Sequence, residues 1–270
     1  MSLRDKYIEP PFSVLNTCTA SWKARKANWD ALGIESWKGR PVLGGKSTTR
    51  WLVSKEERAT YSVFDPCLCE VAYRWFAPDG GSILDPFCGG SVRGIVAGYL
   101  GYSYLGIDIR KEQIDENVSQ RDAILGNSGV EYVCGDSNTE LDSISKRFDL
   151  VFTCPPYYNL EIYSDLENDL SAMDTYGMFM SSYRSIIRKA CSKLKKGGFA
   201  CVVVSELRSL NGFLRGFVPD TIKAFTDAGM WYYNEIVVIT SAYGASVRAN
   251  QSMKTNKVAR AHQTMLVFKK

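Results

Sequence analysis

The sequence of 270 residues contains a single histidine, His262, and none of its eight cysteines forms a CxxC pair. Structural zinc sites need a full set of suitably spaced ligands, and Cys67 with Cys69 is too small a group. We therefore predict that the protein binds no metal ion. Cysteines scattered in this way are typical of reduced, buried thiols in a reducing compartment.

Long apolar runs and a charged-then-apolar leader are also missing from the sequence. We therefore predict no membrane partner and a cytoplasmic location. The hydrophobic content of 45% and the charged content of 23% are ordinary for a globular protein. The length suits one large domain with a small appendage.

Positive charge is scarce in the centre of the sequence and concentrated towards both ends. Residues 21–58 hold nine Lys and Arg against four Asp and Glu, and residues 241–270 hold six Lys and Arg with no acid. The formal net charge is only +4, so the remainder is acidic. An acidic body between basic flanks suggests contact with a polyanion, and two solvated charged surfaces remain the alternative.

From residue 82 onward, short β-rich runs alternate with helical stretches, a pattern typical of βαβ units around a mostly parallel sheet. We predict seven strands, at residues 82–85, 104–108, 131–134, 149–153, 199–205, 232–240 and 264–269. Helices are predicted at residues 92–100, 111–125, 176–194 and 219–228. Gly197 and Gly198 are placed at the end of the longest helix. The last two strands, with no predicted helix between them, should form an antiparallel edge pair.

The first sixty residues have a different character. Residues 21–29 resemble a basic helix with two tryptophans a heptad apart, and a loop rich in glycine, serine and threonine follows at residues 39–49. We predict that residues 1–60 form a basic extension packed on a main domain at residues 61–270.

The most informative stretch is Ile-Leu-Asp-Pro-Phe-Cys-Gly-Gly-Ser-Val at residues 83–92, a strand followed by a small-residue turn and a helix. We call residues 85–91 the glycine turn. Small residues let a ligand approach the backbone and the helix N–H groups. Asp108 and Asp136 end the next two strands, where carboxylates can meet a ribose and an adenine edge. The turn lacks GxGxxG spacing, which favours an adenosyl ligand without a pyrophosphate; helix capping is the alternative for each aspartate.

The fourth predicted strand runs through Thr153 into Cys154, Pro155, Pro156 and Tyr157. We call residues 154–157 the proline turn. Two prolines after a buried strand stop its hydrogen-bond ladder and stiffen the chain. A stiff turn can hold a carbonyl and a side chain against a substrate amine, and an aromatic ring can stack on a base drawn out of its helix.

Together, Asp-Pro-Phe-Cys-Gly-Gly-Ser at residues 85–91 and Thr-Cys-Pro-Pro-Tyr at residues 153–157 resemble the DNA amino-methyltransferases of adenine N6 and cytosine N4. Val-Phe-Asp-Pro at residues 63–66 resembles the family motif that packs against the methionine part of the cofactor. The resemblance covers residues 60–270. It implies a Rossmann-like class I fold, S-adenosylmethionine as the cofactor, DNA as the partner and a restriction–modification or phage setting.

The resemblance also implies roles for individual residues. Cys154 and the Pro155 carbonyl would face the target amine, with Pro156 and Tyr157 completing the catalytic motif. The cofactor would be bound by Phe64, Asp65, Pro66, Asp85, Phe87, Cys88, Gly89, Gly90, Asp108, Ile109, Asp136, Ser137 and Thr153. Two departures matter: Ser91 replaces a family glycine, and Cys154 replaces Asp, Asn or Ser.

Target recognition is predicted in a basic loop at residues 241–262, whose side chains can meet phosphates and base edges. Its nucleic-acid-binding candidates are Arg248, Lys254, Lys257 and Arg260, and the N-terminal region at residues 22–58 is the second candidate surface. The acidic segment at residues 161–174 is interpreted as a mobile lid or a partner surface. Two rivals stay open: methylation of RNA or of a protein glutamine, and a catalytically impaired protein that binds the cofactor and DNA.

Overall fold

The computed structural model describes residues 2–39, 63–126, 128–158, 163–209, 211–240 and 245–270. Within these residues, eight strands form one mixed sheet. They are β1 Val14–Asn16, β2 Ser82–Asp85, β3 Ser103–Asp108, β4 Val130–Cys134, β5 Phe148–Thr153, β6 Leu194–Val204, β7 Trp231–Ile239 and β8 His262–Lys269. Across the sheet, the order is β1-β7-β8-β6-β5-β2-β3-β4.

Helices connect most of these strands, and a short 3₁₀ helix, Leu170–Ala172, follows the proline turn. The α-helices are α1 Leu3–Tyr7, α2 Ala20–Asp30, α3 Pro66–Phe76, α4 Val92–Tyr99, α5 Lys111–Leu125, α6 Ser137–Ser143, α7 Tyr176–Ser192, α8 Phe217–Asp227 and α9 Ala245–Met253. Several begin at a side-chain cap. Asp65, for example, accepts from the Cys67 N–H at 2.9 Å, and Pro66 occupies the first helical position.

The predicted mostly parallel sheet is confirmed, and so is the antiparallel pairing of the last two strands. We predicted seven strands, whereas the described residues form eight. The additional strand, β1, pairs in parallel with β7, and Asn16 lies opposite Ile239. Because β1 is the edge strand, the antiparallel pair of β7 and β8 is not at the outermost edge of the sheet. A strand of three residues carries too little alternation to be recognised in a sequence, and free backbone groups on β7 supply its partner.

The sheet is buried on both faces, because successive side chains of a strand point to opposite sides. Leu150 and Phe152 of β5 join the core under α3, α4 and α5, whereas Val151 joins the core under α6, α7 and α8. This arrangement explains why the strands appear in the sequence as nearly continuous apolar runs.

The N-terminal helix α2 is held against α3 by its two tryptophans, which are almost fully buried. Trp22 donates its indole N–H to Asp65 at 2.9 Å, and Trp29 donates to Glu70 at 2.8 Å. Arg25 adds an ion pair to Glu70 at 2.9 Å. Helix α2 is thus packed on α3.

Two local predictions were wrong. Helix α9 lies between β7 and β8, where no helix was expected, because its polar composition hid the helical pattern. Gly197 and Gly198 lie inside β6, since α7 ends at Ser192. A side chain at Gly198 would meet the Asp149 carbonyl at 2.8 Å, so this glycine permits close strand pairing. Over the described ranges, none of the helices has the length and apolarity needed to cross a membrane.

Trp29→Phe should lower the free energy of unfolding by about 1–3 kcal/mol, because the buried Glu70 carboxylate loses a donor. Urea denaturation measures this change. Trp37→Phe is the matched control, since Trp37 is half exposed, and it should change stability by no more than about 0.5 kcal/mol. Equal effects of the two variants would show that the Trp29–Glu70 contact does not anchor α2.

Candidate functional site

A cleft of about 800 Å³ opens at the end of the sheet where the parallel strands finish. Open α/β sheets generally bind their ligands at this end. Most of the predicted site residues line it: Phe64, Asp65, Phe87, Gly89, Gly90, Asp108, Ile109, Asp136, Ser137, Cys154, Pro155, Pro156, Tyr157 and Arg260. The glycine turn and the proline turn, separated by more than sixty residues in sequence, therefore share one cavity.

The glycine turn is closely packed from below. Gly89 has φ of +47°, a conformation that residues with side chains rarely adopt. Its N–H donates to Asp108 at 3.0 Å, and its carbonyl accepts from Asn117 at 2.6 Å. Cys88 is fully buried against Gly106 of the next strand, where a Cβ would lie 2.8 Å from the Cys88 Cβ. Cys88 therefore supports the turn from beneath.

A buried ion pair joins Asp85 to Arg93 under the turn. Arg93 donates Nε to Asp85 at 2.5 Å and Nη2 to the carbonyls of Phe87 and Cys88 at 2.6 and 2.8 Å. Burial alone would lower the pKa of Arg93, but the adjacent Asp85 outweighs it and holds that pKa well above its ordinary value. The guanidinium stays charged and fixes the backbone of the turn.

The Asp85 carboxylate also contacts Thr153, the residue just before the proline turn. Asp85 accepts from the hydroxyls of Thr153 at 2.6 Å and Tyr104 at 2.8 Å. Thr153 is fully buried and directly precedes Cys154. Asp85 and Thr153 were predicted among the cofactor-binding residues, but the structure places their side chains beneath the cleft, where they connect the two turns.

Carboxylates lie at the ends of β3 and β4, as the sequence suggested. Asp108 accepts from the backbone N–H of Gly89 and from that of Arg110 at 2.9 Å. Burial nevertheless raises the pKa of Asp108 above its ordinary value. Asp136 caps α6 through Oδ1 at 2.8 Å, and Ser137 donates to the Pro86 carbonyl at 2.6 Å. Because burial limits the contact of the Asp108 carboxylate with water, hydroxyl groups of a bound ligand would stabilise its charge by donating hydrogen bonds.

The proline turn presents a thiol and an aromatic ring to the cleft. Cys154 is half-buried, and the ring of Tyr157 packs edge-on against Phe217 at 6.1 Å. Burial, together with the neighbouring Cys154 thiol, raises the pKa of Tyr157 well above its ordinary value, so the phenol remains neutral. Tyr158 follows with φ of +34°, a strained conformation of the kind that clusters at functional sites.

Two further acidic residues line the cleft. Glu206 was missed, although its place just after β6 is the strand-end signal that drew attention to Asp108. It accepts from the N–H groups of Gly216 and Phe217 at 2.9 and 2.8 Å. Asp169, from the predicted acidic lid, is buried and hydrogen-bonded to serines. Within the described ranges, acidic, Cys and His side chains form no group of three that could hold a metal ion.

Residues from both basic ends of the chain also reach the cleft. Thr17 and Lys26 come from the N-terminal extension, Arg260 comes from the stretch before β8, and His262 is the first residue of β8. Arg260 Nη1 lies 3.2 Å from His262 Nε2. Lys26 belongs to the second candidate surface at residues 22–58, whereas His262 was not predicted to line a site, because nothing in the sequence shows that the two ends of the chain meet.

The remaining predicted residues lie elsewhere. Pro66 is buried at the start of α3. In the described part of the chain, Lys254 is exposed and Lys257 is half-buried against Gly212, both outside the cleft. Arg248 belongs to α9, and its side chain lies outside the described residues.

Comparison with protein families gives one match. Residues 148–270 match the family model N6_N4_Mtase, described as DNA methylase. The matched region includes the proline turn, Glu206, Arg260 and β8. Among curated proteins, none matches the sequence at a significant level.

Solved structures with the same fold are numerous. TrmN from Thermus thermophilus aligns with a TM-score of 0.51 and 15% identity, over 77% of this chain and 49% of that protein. Magnesium protoporphyrin IX methyltransferase (ChlM) from Synechocystis PCC 6803, solved with bound S-adenosylmethionine, aligns with a TM-score of 0.50 and 12% identity, over 92% and 96%. This chain thus spans about half the length of TrmN.

These findings confirm the predicted Rossmann-like methyltransferase fold and S-adenosylmethionine as the cofactor. The cleft fits this group, because its volume lies in the range of about 300–1,000 Å³ usual for ligand sites. Asp108 and Asp136 supply hydrogen-bond acceptors at two strand ends. Gly89 has no side chain, so a ligand can approach the backbone of the glycine turn.

Arg93→Met should reduce the free energy of unfolding by about 3–5 kcal/mol, because it leaves Asp85 as a buried charge without its cation. Thermal and urea unfolding measure the loss. Arg74→Met is the control: the Arg74–Asp79 pair is exposed, and removing it should cost about 1 kcal/mol or less. A loss at Arg93 no larger than at Arg74 would contradict the structural role of the buried pair.

Proposed function

We propose, from the confirmed resemblance of residues 148–270 to the DNA methylases, that the protein transfers a methyl group from S-adenosylmethionine to the exocyclic amino group of adenine (N6) or cytosine (N4) in DNA. The observation that carries this proposal is that one cleft contains the glycine turn, the strand-end carboxylates and the proline turn. A cofactor and a base can therefore be held side by side.

The cofactor is assigned to the end of the cleft that the glycine turn lines. Asp108 would accept from the ribose hydroxyls and Asp136 from the adenine edge. The remaining lining is supplied by Phe64, Asp65, Phe87, Gly89, Gly90, Ile109 and Ser137. When bound, the cofactor supplies an electrophilic methyl group. Acidic lining suits it, because its sulfonium is cationic.

The target amine is assigned to the proline turn. An amine conjugated to a base ring is a poor nucleophile, so acceptors must hold its protons while the nitrogen rehybridises. The Pro155 carbonyl is one acceptor, and Cys154 is a weaker one, because a thiol is a poor hydrogen-bonding group. Tyr157 would stack on a base that has left the helix, and the prolines would keep the turn rigid during transfer.

Contact with the DNA backbone is assigned to the basic C-terminal segment. Lys254, Lys257 and Arg260 carry the charge there, and Arg248 belongs to the same segment. Phosphate contacts from such side chains position a duplex without reading its sequence. Four further expectations stay predictions. They are target recognition by residues 241–262, the domain boundary near residue 60, the cytoplasmic location and the restriction–modification or phage setting.

Two rival functions use the same cleft. A methyltransferase of RNA or of a protein glutamine would also use a Pro-Pro-Tyr turn, but the Asp-Pro-Phe form of the glycine turn and the basic ends favour DNA. Cys154 favours the other rival, an impaired protein that binds the cofactor and DNA, because the thiol is a poor substitute for Asp, Asn or Ser.

Methyl-labelled S-adenosylmethionine tests the substrate class. Purified protein should transfer label to DNA in parallel reactions with duplex DNA, single-stranded DNA, RNA and a protein extract. Label confined to RNA or protein would support the first rival. Cofactor and DNA binding without any transfer would support the second.

Asp108→Ala should weaken S-adenosylmethionine binding by about 1–3 kcal/mol, because the ligand loses a charge-assisted acceptor and Gly89 loses its partner. Isothermal titration calorimetry measures the affinity. Asp115→Ala is the matched control, because Asp115 is an exposed residue of α5 paired with Lys111. Unchanged affinity of Asp108→Ala would contradict the ribose assignment.

Cys154→Ser should keep or raise the turnover number, because a hydroxyl is the better acceptor for an amine proton. Tyr157→Ala should nearly abolish turnover, whereas Tyr157→Phe should keep most of it, since the stacking ring remains. Steady-state methyl transfer distinguishes these variants once folding and cofactor binding are verified. A folded, cofactor-bound Cys154→Ser without activity would show that the thiol has a specific role.

A further inference from the structure

Acidic and basic side chains are unevenly distributed along the cleft, with Arg110 also beside Asp108. Asp108 and Asp136 line the end next to β3 and β4, at one edge of the sheet. Arg260 and His262 lie at the start of β8, at a basic end nearer the opposite edge, and Lys26 lines the cleft from α2. The proline turn follows β5, which lies between the two ends. A polyanion is therefore attracted to the basic end and repelled from the acidic one.

Strand register explains how both basic ends of the chain reach this place. Asn16 of β1 pairs with Ile239 of β7, and Ile239 pairs in turn with His262 of β8. The contact continues beyond the strands, because the Thr17 N–H donates to the Ile239 carbonyl at 3.1 Å. Residues 14–17 are thus hydrogen-bonded to β7, whose other neighbour, β8, begins two residues after Arg260.

Helix α2 holds Lys26 at the cleft. Lys26 lies four residues after Trp22 and three before Trp29, so all three share one side of the helix. The indole contacts of the tryptophans with Asp65 and Glu70 fix the rotation of that side. Lys23 is also exposed, but it lies about 100° around the helix from Trp22 and does not line the cleft.

We propose that Lys26, Arg260 and His262 form a phosphate-binding rim for the nucleic-acid strand that carries the target base. This inference rests on the proposed function and adds the N-terminal extension to the substrate site. Among the described residues, neither Lys26 nor Arg260 has a carboxylate within ion-pair distance. Their charge is available to a ligand.

The spacing of the rim from the proline turn suits a nucleotide. β5 and β8 are separated by β6 alone, so the two strands lie about 10 Å apart. That distance is comparable with the reach from the amino group of a base to its own phosphate. Glu206, at the end of β6, adds little repulsion, because backbone N–H groups of α8 bind its carboxylate.

Fluorescence anisotropy of labelled duplex and single-stranded oligonucleotides over a range of salt concentrations tests the rim. Lys26→Ala and Arg260→Ala should each weaken binding at low salt. Each should also reduce the slope of log K against log salt by roughly one unit, as expected for one lost phosphate contact. Arg260→Lys should keep the slope, because it keeps the charge. Calorimetry should show unchanged S-adenosylmethionine affinity in all variants.

Lys23→Ala is the matched control, since it removes the same charge from the same helix outside the cleft. If the unmodified protein binds and methylates DNA while Lys26→Ala and Arg260→Ala behave like Lys23→Ala, the rim is contradicted and the proposed function stands. If the unmodified protein binds no nucleic acid and instead methylates an acidic peptide in a Lys26-dependent way, the proposed function fails and the rim serves another substrate, which overturns the inference.

Discussion

The buried ion pair between Asp85 and Arg93 is the interaction on which the cleft depends. Asp85 ends β2 and is surrounded by donors from Arg93, Tyr104, Thr153 and the glycine turn itself. A buried charge is tolerated only when its hydrogen-bonding capacity is satisfied in this way. Because Arg93 also binds two carbonyls of the turn, and Thr153 adjoins Cys154, one carboxylate sets the relative position of the cofactor turn and the catalytic turn.

The order of strands then divides the cavity. Strands β3 and β4 lead into the acidic residues expected to bind a cationic cofactor, whereas Arg260 and His262 lie at the start of β8 on the other side. The proline turn after β5 lies at the boundary between the two halves. Residues from both basic flanks of the sequence thus line the same cleft as the strand-end carboxylates, a relation that only the fold creates.

Much of the fold and part of the site could be predicted, because the informative signals are local. Apolar runs identify β2 to β8, and strand ends identify Asp108, Asp136 and the proline turn. Other features depend on distant contacts. β1 forms because β7 offers a free strand edge. Arg93 resembles an ordinary helix residue until its buried partner is known. The strand-end positions of Asp85 and Thr153 do not reveal that their side chains face inward. His262 could not be recognised as a cleft residue for the same reason, and Lys26 was included only within the broad candidate surface at residues 22–58.

The central claim, transfer of a methyl group to an exocyclic base amine in DNA, is tested most directly by nucleoside mass spectrometry. DNA from cells expressing the protein is digested to nucleosides and compared with DNA from cells expressing Tyr157→Ala. The account predicts N6-methyladenine or N4-methylcytosine in the first sample and neither above background in the second. Unmodified DNA in both samples, or 5-methylcytosine as the only new nucleoside, would contradict it.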